Sequence, residues 1–329
     1  MSNYSENSSF ISSRLDTEQL FYRSWTGRDS VLSIYIVHGL SEHSLRYKQF
    51  AADLCEQLKA NVFVIDHRAH GRTSCPEPDK DSSGLGVFRT SKDKSKLNCL
   101  EVMGGDVLQL IEETHGKLPI VIFGHSMGSA ISRWTLRLAS SSLLDEIKGV
   151  VLSGIPTVPS RLERFPLLFL VSAAIAIGKG QDTLHNFIID KFDAAVRRNS
   201  GKKSLPKACF ISSVMDEVEK FNKDPLCGQT VDLHIWRSMR STLIALESPR
   251  VFFNSLGDKR VPILFISGKN DPVCDYGSTS VKCAAQMRDM GFPVTEVFLE
   301  NCIHEFLHEA EPVREKGTDF TKKWILSKL

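Results

Sequence analysis

Apolar residues in this chain fall in short continuous runs, and the stretches between them carry apolar positions at helical spacing. Ser33–Val37 is a β-branched and aromatic run that ends at His38-Gly39, and Val62–Ile65 ends at Asp66. Ile120–Phe123 ends at Gly124, Gly149–Leu152 forms a fourth run, and Ile263–Ile266 and Val294–Phe298 follow much later. Phe50–Leu58, Val102–Glu113 and Ala130–Ala139 lie between or after these runs and space their apolar residues as helices do. Strands without period-2 alternation are those buried on both faces, as in parallel sheets covered by helices. The alternation of strand and helix predicts a doubly wound α/β fold. Ligands of such folds sit at the carboxyl ends of the strands, so chemistry is sought in the residues that follow each run.

The rhythm breaks between Thr157 and Pro249. That stretch has helical patterns, basic clusters and one apolar run, Phe165–Gly178, but no series of strands. Residues 157–249 are therefore predicted to be a largely helical cap inserted into a core made of 21–156 and 250–329. The Ser- and Asn-rich start, Met1–Ser13, reads as a short disordered lead-in, with residues 1–20 as a flexible N-terminal part. It lacks the basic and apolar regions of a secretory signal. Arg72–Leu97 reads as an irregular surface loop.

Composition adds three points. Forty-one basic against thirty-nine acidic residues leave a net charge of +2, which gives no electrostatic reason to expect a nucleic-acid partner. Eight cysteines are scattered without a CxxC pair, which argues for free thiols in a reducing compartment, the cytoplasm, and against a zinc site of that spacing. The run Phe165–Gly178 is shorter than the roughly 20 residues of a spanning helix, so it reads as a buried helix or as a peripheral contact with a membrane surface.

Gly124-His125-Ser126-Met127-Gly128 matches G-x-S-x-G, with a strand before it and a helix after it. That context is the one in which a serine stands on a sharp turn as a nucleophile. Such a serine needs a base, and the base needs an orienting carboxylate, in the chain order Ser, acid, His. Asp271 follows the strand Ile263–Ile266, and His304 follows Val294–Phe298. Asp275 competes as the acid, but Pro272 favours a turn directly after Asp271. His308 competes as the base and is expected on an exposed face of the last helix. The oxyanion donors are expected to be the backbone N–H groups of Met127 and Leu40. Cys274 and Cys302 lie near the acid and the base, either as thiols open to reagents or as inert buried ones.

Together these segments resemble the monoglyceride lipases and related lysophospholipases. His38-Gly39-Leu40-Ser41-Glu42-His43-Ser44-Leu45-Arg46-Tyr47 is similar to their HG-x-x-EH-x-x-RY segment, and Asp66-His67-Arg68-Ala69-His70-Gly71-Arg72 to D-x-R-G-H-G-x. The resemblance implies an α/β-hydrolase fold and a serine hydrolase with a cap over its site. Typical substrates would be monoacylglycerols, lysophospholipids and other single-chain esters, with no metal or cofactor. Three positions depart from the pattern: Ser41 and Ala69 replace common glycines, and Ser129 stands where a second glycine often follows the elbow. A left-handed backbone at Ser41 would be strained. Phe165, Leu168, Phe169 and Ile175 in the cap are candidates to line an acyl tunnel. The alternatives are a short-chain carboxylesterase, an iminopeptidase-type aminopeptidase that would hold a substrate amine on Asp216, Glu217 or Glu219, and a non-catalytic ligand-binding member. Oligomeric state is left open by the sequence.

Overall fold

The computed structural model describes residues 4–78, 81–157, 181–202 and 204–329. Its centre is an eight-stranded sheet of order β1-β2-β4-β3-β5-β6-β7-β8. The strands are β1 (Tyr4–Ser12), β2 (Gln19–Gly27), β3 (Leu32–Val37), β4 (Ala60–Ile65), β5 (Ile120–His125), β6 (Ile147–Ser153), β7 (Ile263–Gly268) and β8 (Val294–Leu299). From β4 through β8 every neighbouring pair is parallel. β1 and β2 are antiparallel additions at one edge.

The continuous apolar runs have the reason their pattern suggested. Along β5, Ile120 and Ile122 enter one core while Val121 and Phe123 enter the other. The first core is closed by helices Cys99–Thr114, Met127–Leu138 and Ser278–Arg288. The second is closed by helices Lys48–Leu58 and Val313–Leu326. This is the α/β-hydrolase architecture, with helices on both faces of a mostly parallel sheet.

Two expectations are corrected. The N-terminal segment is not a disordered lead-in: Tyr4–Ser12 pairs with Gln19–Gly27 along its whole length. Backbone pairing holds it, with Phe10 packed edge-on against Phe21, while most of its side chains face solvent. The insertion also ends earlier than Pro249 in packing terms. Helix Leu233–Ala245 contributes Ile235, Met239 and Leu243 to the sheet's own core. It is fixed there by Trp134 Nε1–H to Thr242 Oγ1 at 3.0 Å and by the Cys99 N–H to Ser238 Oγ at 2.8 Å. The earlier part includes helices Gln181–Ser200 and Met215–Lys223, and the second of these meets the loop after β8 through Glu217 and His308. Phe165, Leu168, Phe169 and Ile175 fall outside the described residues.

Candidate active site

Ser126 stands between β5 and helix Met127–Leu138 with φ 51° and ψ −120°, a backbone that a residue with a Cβ enters only under strain. The two flanking glycines make that turn possible. A Cβ on Gly128 would lie 1.9 Å from the Val37 carbonyl oxygen, and one on Gly124 would lie 2.4 Å from Ser132 Oγ. The Ser126 N–H is held by the Ser153 carbonyl at 2.9 Å, and Ser129 Oγ donates to the Ser126 carbonyl at 2.6 Å. Ser129 therefore supplies a local hydrogen bond that a glycine could not.

Asp271 and His304 come together from the ends of β7 and β8. His304 Nδ1 lies 2.9 Å from Asp271 Oδ2, and the second carboxylate oxygen accepts the Val273 N–H at 2.8 Å. Both side chains are buried. The His304 ring packs on His125, the residue before Ser126, with ring centroids 4.7 Å apart. It also abuts Gly154, where a Cβ would sit 3.0 Å from the ring. Burial pulls the imidazole down, but Asp271, Glu305 and Glu42 outweigh it and leave His304 above its usual pKa.

The competitors are elsewhere. Asp275 is exposed and accepts from Ser278 Oγ. His308 does not lie on the last helix: it ends a short 3-10 turn, Phe306–His308, and is half-buried against Glu217 at 3.2 Å. Cys274 and Cys302 are fully buried thiols that donate to backbone carbonyls, and burial pushes both well above the usual thiol range. None of the eight cysteines, all of them among the described residues, forms a disulfide.

The loop after β3 lies directly against the serine, since a Cβ on Gly39 would be 3.2 Å from Ser126 Cβ. Its Gly39 N–H is committed to Glu42 Oε1 at 2.6 Å. Ser41 and Ala69 both adopt left-handed backbones, with φ 57° and 70°. At Ser41, Oγ donates to the Gln229 carbonyl at 2.7 Å, and the Ser41 carbonyl accepts the Gly228 N–H at 2.9 Å. These two bonds offset a strain of about 1–2 kcal/mol.

Sequence reading missed the ionic network behind this loop. Arg46 sits between Glu42 (2.8 Å) and Glu305, which it grips with two bonds of 2.9 and 2.6 Å. Tyr47 donates its hydroxyl to Glu42 at 2.9 Å, and the guanidinium lies 4.9 Å from the centre of the Phe221 ring. Burial alone would raise the Glu42 carboxyl, but Arg46, His125 and the Gly39 N–H hold it well below the usual carboxylate range. The i,i+4 spacing of Glu42 and Arg46 was the available signal. Because the side chains are buried, Arg46→Met is expected to destabilise the fold by about 3–5 kcal/mol, leaving two carboxylates without a cation. Chemical denaturation checks this, and a loss under 1 kcal/mol would contradict it.

Four buried imidazoles in or near the loop, His38, His67, His70 and His125, behave oppositely to His304. Burial holds His67 well below 6.5, His70 at about 3 and His125 at about 4. The unfolded chain takes up these protons near pH 6.5 while the folded chain refuses them. Stability therefore falls as pH drops from about 6.5, and by pH 5 each still-neutral ring costs about 2 kcal/mol. The raised His304 acts in the opposite sense. Melting temperature is expected to decline steadily from pH 7 to pH 5, and a flat profile would contradict the assignment.

The family model described as serine aminopeptidase, S33, matches residues 29–311. The chain belongs to that family. The monoglyceride lipase of Rattus norvegicus is 25 % identical over 268 residues, covering 79 % of this chain and 72 % of that one. A carboxyl esterase from Bacillus coagulans superposes with a TM-score of 0.78 at 21 % identity, covering 98 % of each chain. A soluble variant of the Saccharomyces cerevisiae monoglyceride lipase superposes at 0.69 and 15 % identity, covering 99 % of this chain and 97 % of that one. The protein is thus a serine hydrolase of the α/β-hydrolase type.

Proposed function

We propose that this protein hydrolyses esters of single-chain lipids, monoacylglycerols or lysophospholipids, by acyl transfer through Ser126. The observation that carries the proposal is the buried His304–Asp271 pair, whose imidazole packs on the residue before a strained serine on a glycine-flanked turn. Ser126 Oγ attacks the ester carbonyl carbon while His304 Nε2 takes its proton. Asp271 accepts the Nδ1–H bond, which fixes the tautomer and stabilises the imidazolium. The Met127 and Leu40 N–H groups receive the oxyanion, each contributing about 3 kcal/mol to the lowered barrier. Leu40 is the next donor along the loop because the Gly39 N–H is already bound to Glu42. Collapse of the intermediate expels the alcohol, which takes its proton from His304. Water activated by His304 then releases the fatty acid and restores Ser126.

The insertion is read as a cap: Phe210 packs over the His304 ring with centroids 5.8 Å apart, and the Glu305 N–H is held by the Ile211 carbonyl at 2.8 Å. Phe165, Leu168, Phe169 and Ile175 are assigned to the acyl chain on their sequence alone. Each methylene buried there would contribute about 0.8 kcal/mol, so kcat/KM is expected to rise with acyl length up to a limit. The aminopeptidase alternative is disfavoured by the acidic residues it needs. Glu217 is paired with Lys220 and His308, Glu219 with Lys223, and Asp216 is exposed on the same surface helix. Among the described residues no helix is long and apolar enough to cross a membrane. Peripheral contact through the cap, and action in the reducing cytoplasm suggested by eight cysteines that form no disulfide, belong to the same proposal.

A panel of 1-monoacylglycerol, lysophosphatidylcholine, p-nitrophenyl butyrate and a prolyl amide, with and without detergent micelles, tests the substrate class. The long-chain monoesters are expected to be preferred. Preference for the butyrate or the amide would overturn the proposal.

A further inference from the structure

We propose a zinc site, separate from the reacting groups, at the seam between the loop after β3 and the insertion. Its ligands are His43, Asp224 and Cys227. One donor atom from each lies within 4.8 Å of the other two. His43 Nε2 is 2.9 Å from Asp224 Oδ2. The sequence brings two of the three together locally. Asp224-Pro225-Leu226-Cys227 is a turn closed by the Cys227 N–H to the Asp224 carbonyl at 3.0 Å, so its first and fourth side chains share one point. The Leu226 N–H occupies Asp224 Oδ1 at 2.8 Å and leaves Oδ2 turned toward His43. A histidine–carboxylate pair by itself needs no metal. The sulfur at the same point completes a nitrogen, oxygen and sulfur set that suits Zn2+, with water as the fourth ligand. Tetrahedral zinc would hold its ligands roughly 3.3–3.8 Å apart, so closure takes movements of about 1 Å. Asp224 and Cys227 are only partly buried, which gives the ion a way in.

Binding releases one proton, from the Cys227 thiol. Asp224 binds as the carboxylate, and the single ring proton of His43 moves from Nε2 to Nδ1. The second candidate cluster, Glu42, His125 and Glu305, is already filled by Arg46 and takes no ion. Zinc at the seam would tie the insertion to the loop that already meets it through Ser41, Gly228 and Gln229. The consequence is a more stable protein with slower ester turnover.

The test uses the full chain, dialysed against chelator and titrated with ZnCl2, or with Co2+ as a spectroscopic probe. One Zn2+ per chain is expected, with a thiolate-to-cobalt charge-transfer band, a raised melting temperature, and turnover that falls on loading and recovers with chelator. Cys227→Ser and Asp224→Asn should keep their metal-free turnover and bind zinc at least about 100-fold more weakly. No bound zinc, or wild-type affinity in Cys227→Ser, would overturn the site. Unchanged turnover in the zinc-loaded protein would overturn the restraint. Neither result depends on which ester is the substrate, so failure here is distinguishable from failure of the proposed function.

Discussion

Ser126→Ala is expected to lower kcat for ester hydrolysis by a factor on the order of 10⁵ to 10⁶ while leaving the fold intact. The size follows from how the serine is used. In the proposed mechanism it forms the covalent bond, so no partial substitute would remain when Oγ is removed, and only the oxyanion donors and substrate binding would give residual rate. The fold should survive because the turn is built by its neighbours. Gly124 and Gly128 admit the close approach of strand and helix, and the Ser126 N–H and carbonyl are held by Ser153 and Ser129. Alanine keeps all of these, together with the strained backbone, so the melting temperature should move by no more than a few degrees. A variant that is folded and retains more than about a hundredth of wild-type kcat would remove Ser126 from the mechanism.

Asp271→Asn is expected to lower kcat by about 10⁴ with little change in KM. The carboxylate accepts from His304 Nδ1 and also receives the Val273 N–H. An amide in its place can turn its NH2 toward Nδ1, which places the ring proton on Nε2, where it cannot accept from serine. A second signature separates this from a loss of packing. In the wild type, Asp271 is the foremost of the groups that raise the His304 pKa against burial. Activity requires the neutral ring, so kcat/KM should rise with pH through a midpoint above 6.5. Without the carboxylate that limb should move to lower pH. A variant with reduced rate but an unmoved acid limb would mean that His304 does not titrate as the base.

The sheet and the serine turn were legible in the sequence for the same reason. Strands buried on both faces must be apolar throughout, and the sharp turn tolerates only glycine at two positions, so composition and geometry coincide. β1 was not legible, because an edge strand whose side chains are mostly exposed carries no hydrophobic pattern, and Ser-Glu-Asn-Ser-Ser is equally the composition of a loop. Helix Leu233–Ala245 was grouped with the insertion because its spacing gives an apolar face but not the surface that face meets. The ionic network failed for a further reason. Arg46 and Glu305 are 259 positions apart, and only the fold brings the loop after β3 and the loop after β8 to one point. The left-handed Ser41 shows the converse: the strain was foreseen, but the bonds to Gly228 and Gln229 that offset it belong to tertiary structure.

The most direct test of the central claim is covalent capture of the nucleophile. The folded protein would be incubated with a fluorophosphonate, and the adduct located by mass spectrometry of its peptides. One equivalent per chain on Ser126, absent from Ser126→Ala and sharply slowed in Asp271→Asn, is the predicted result. A folded wild-type protein that takes no label, or that carries it on another residue, would contradict the account.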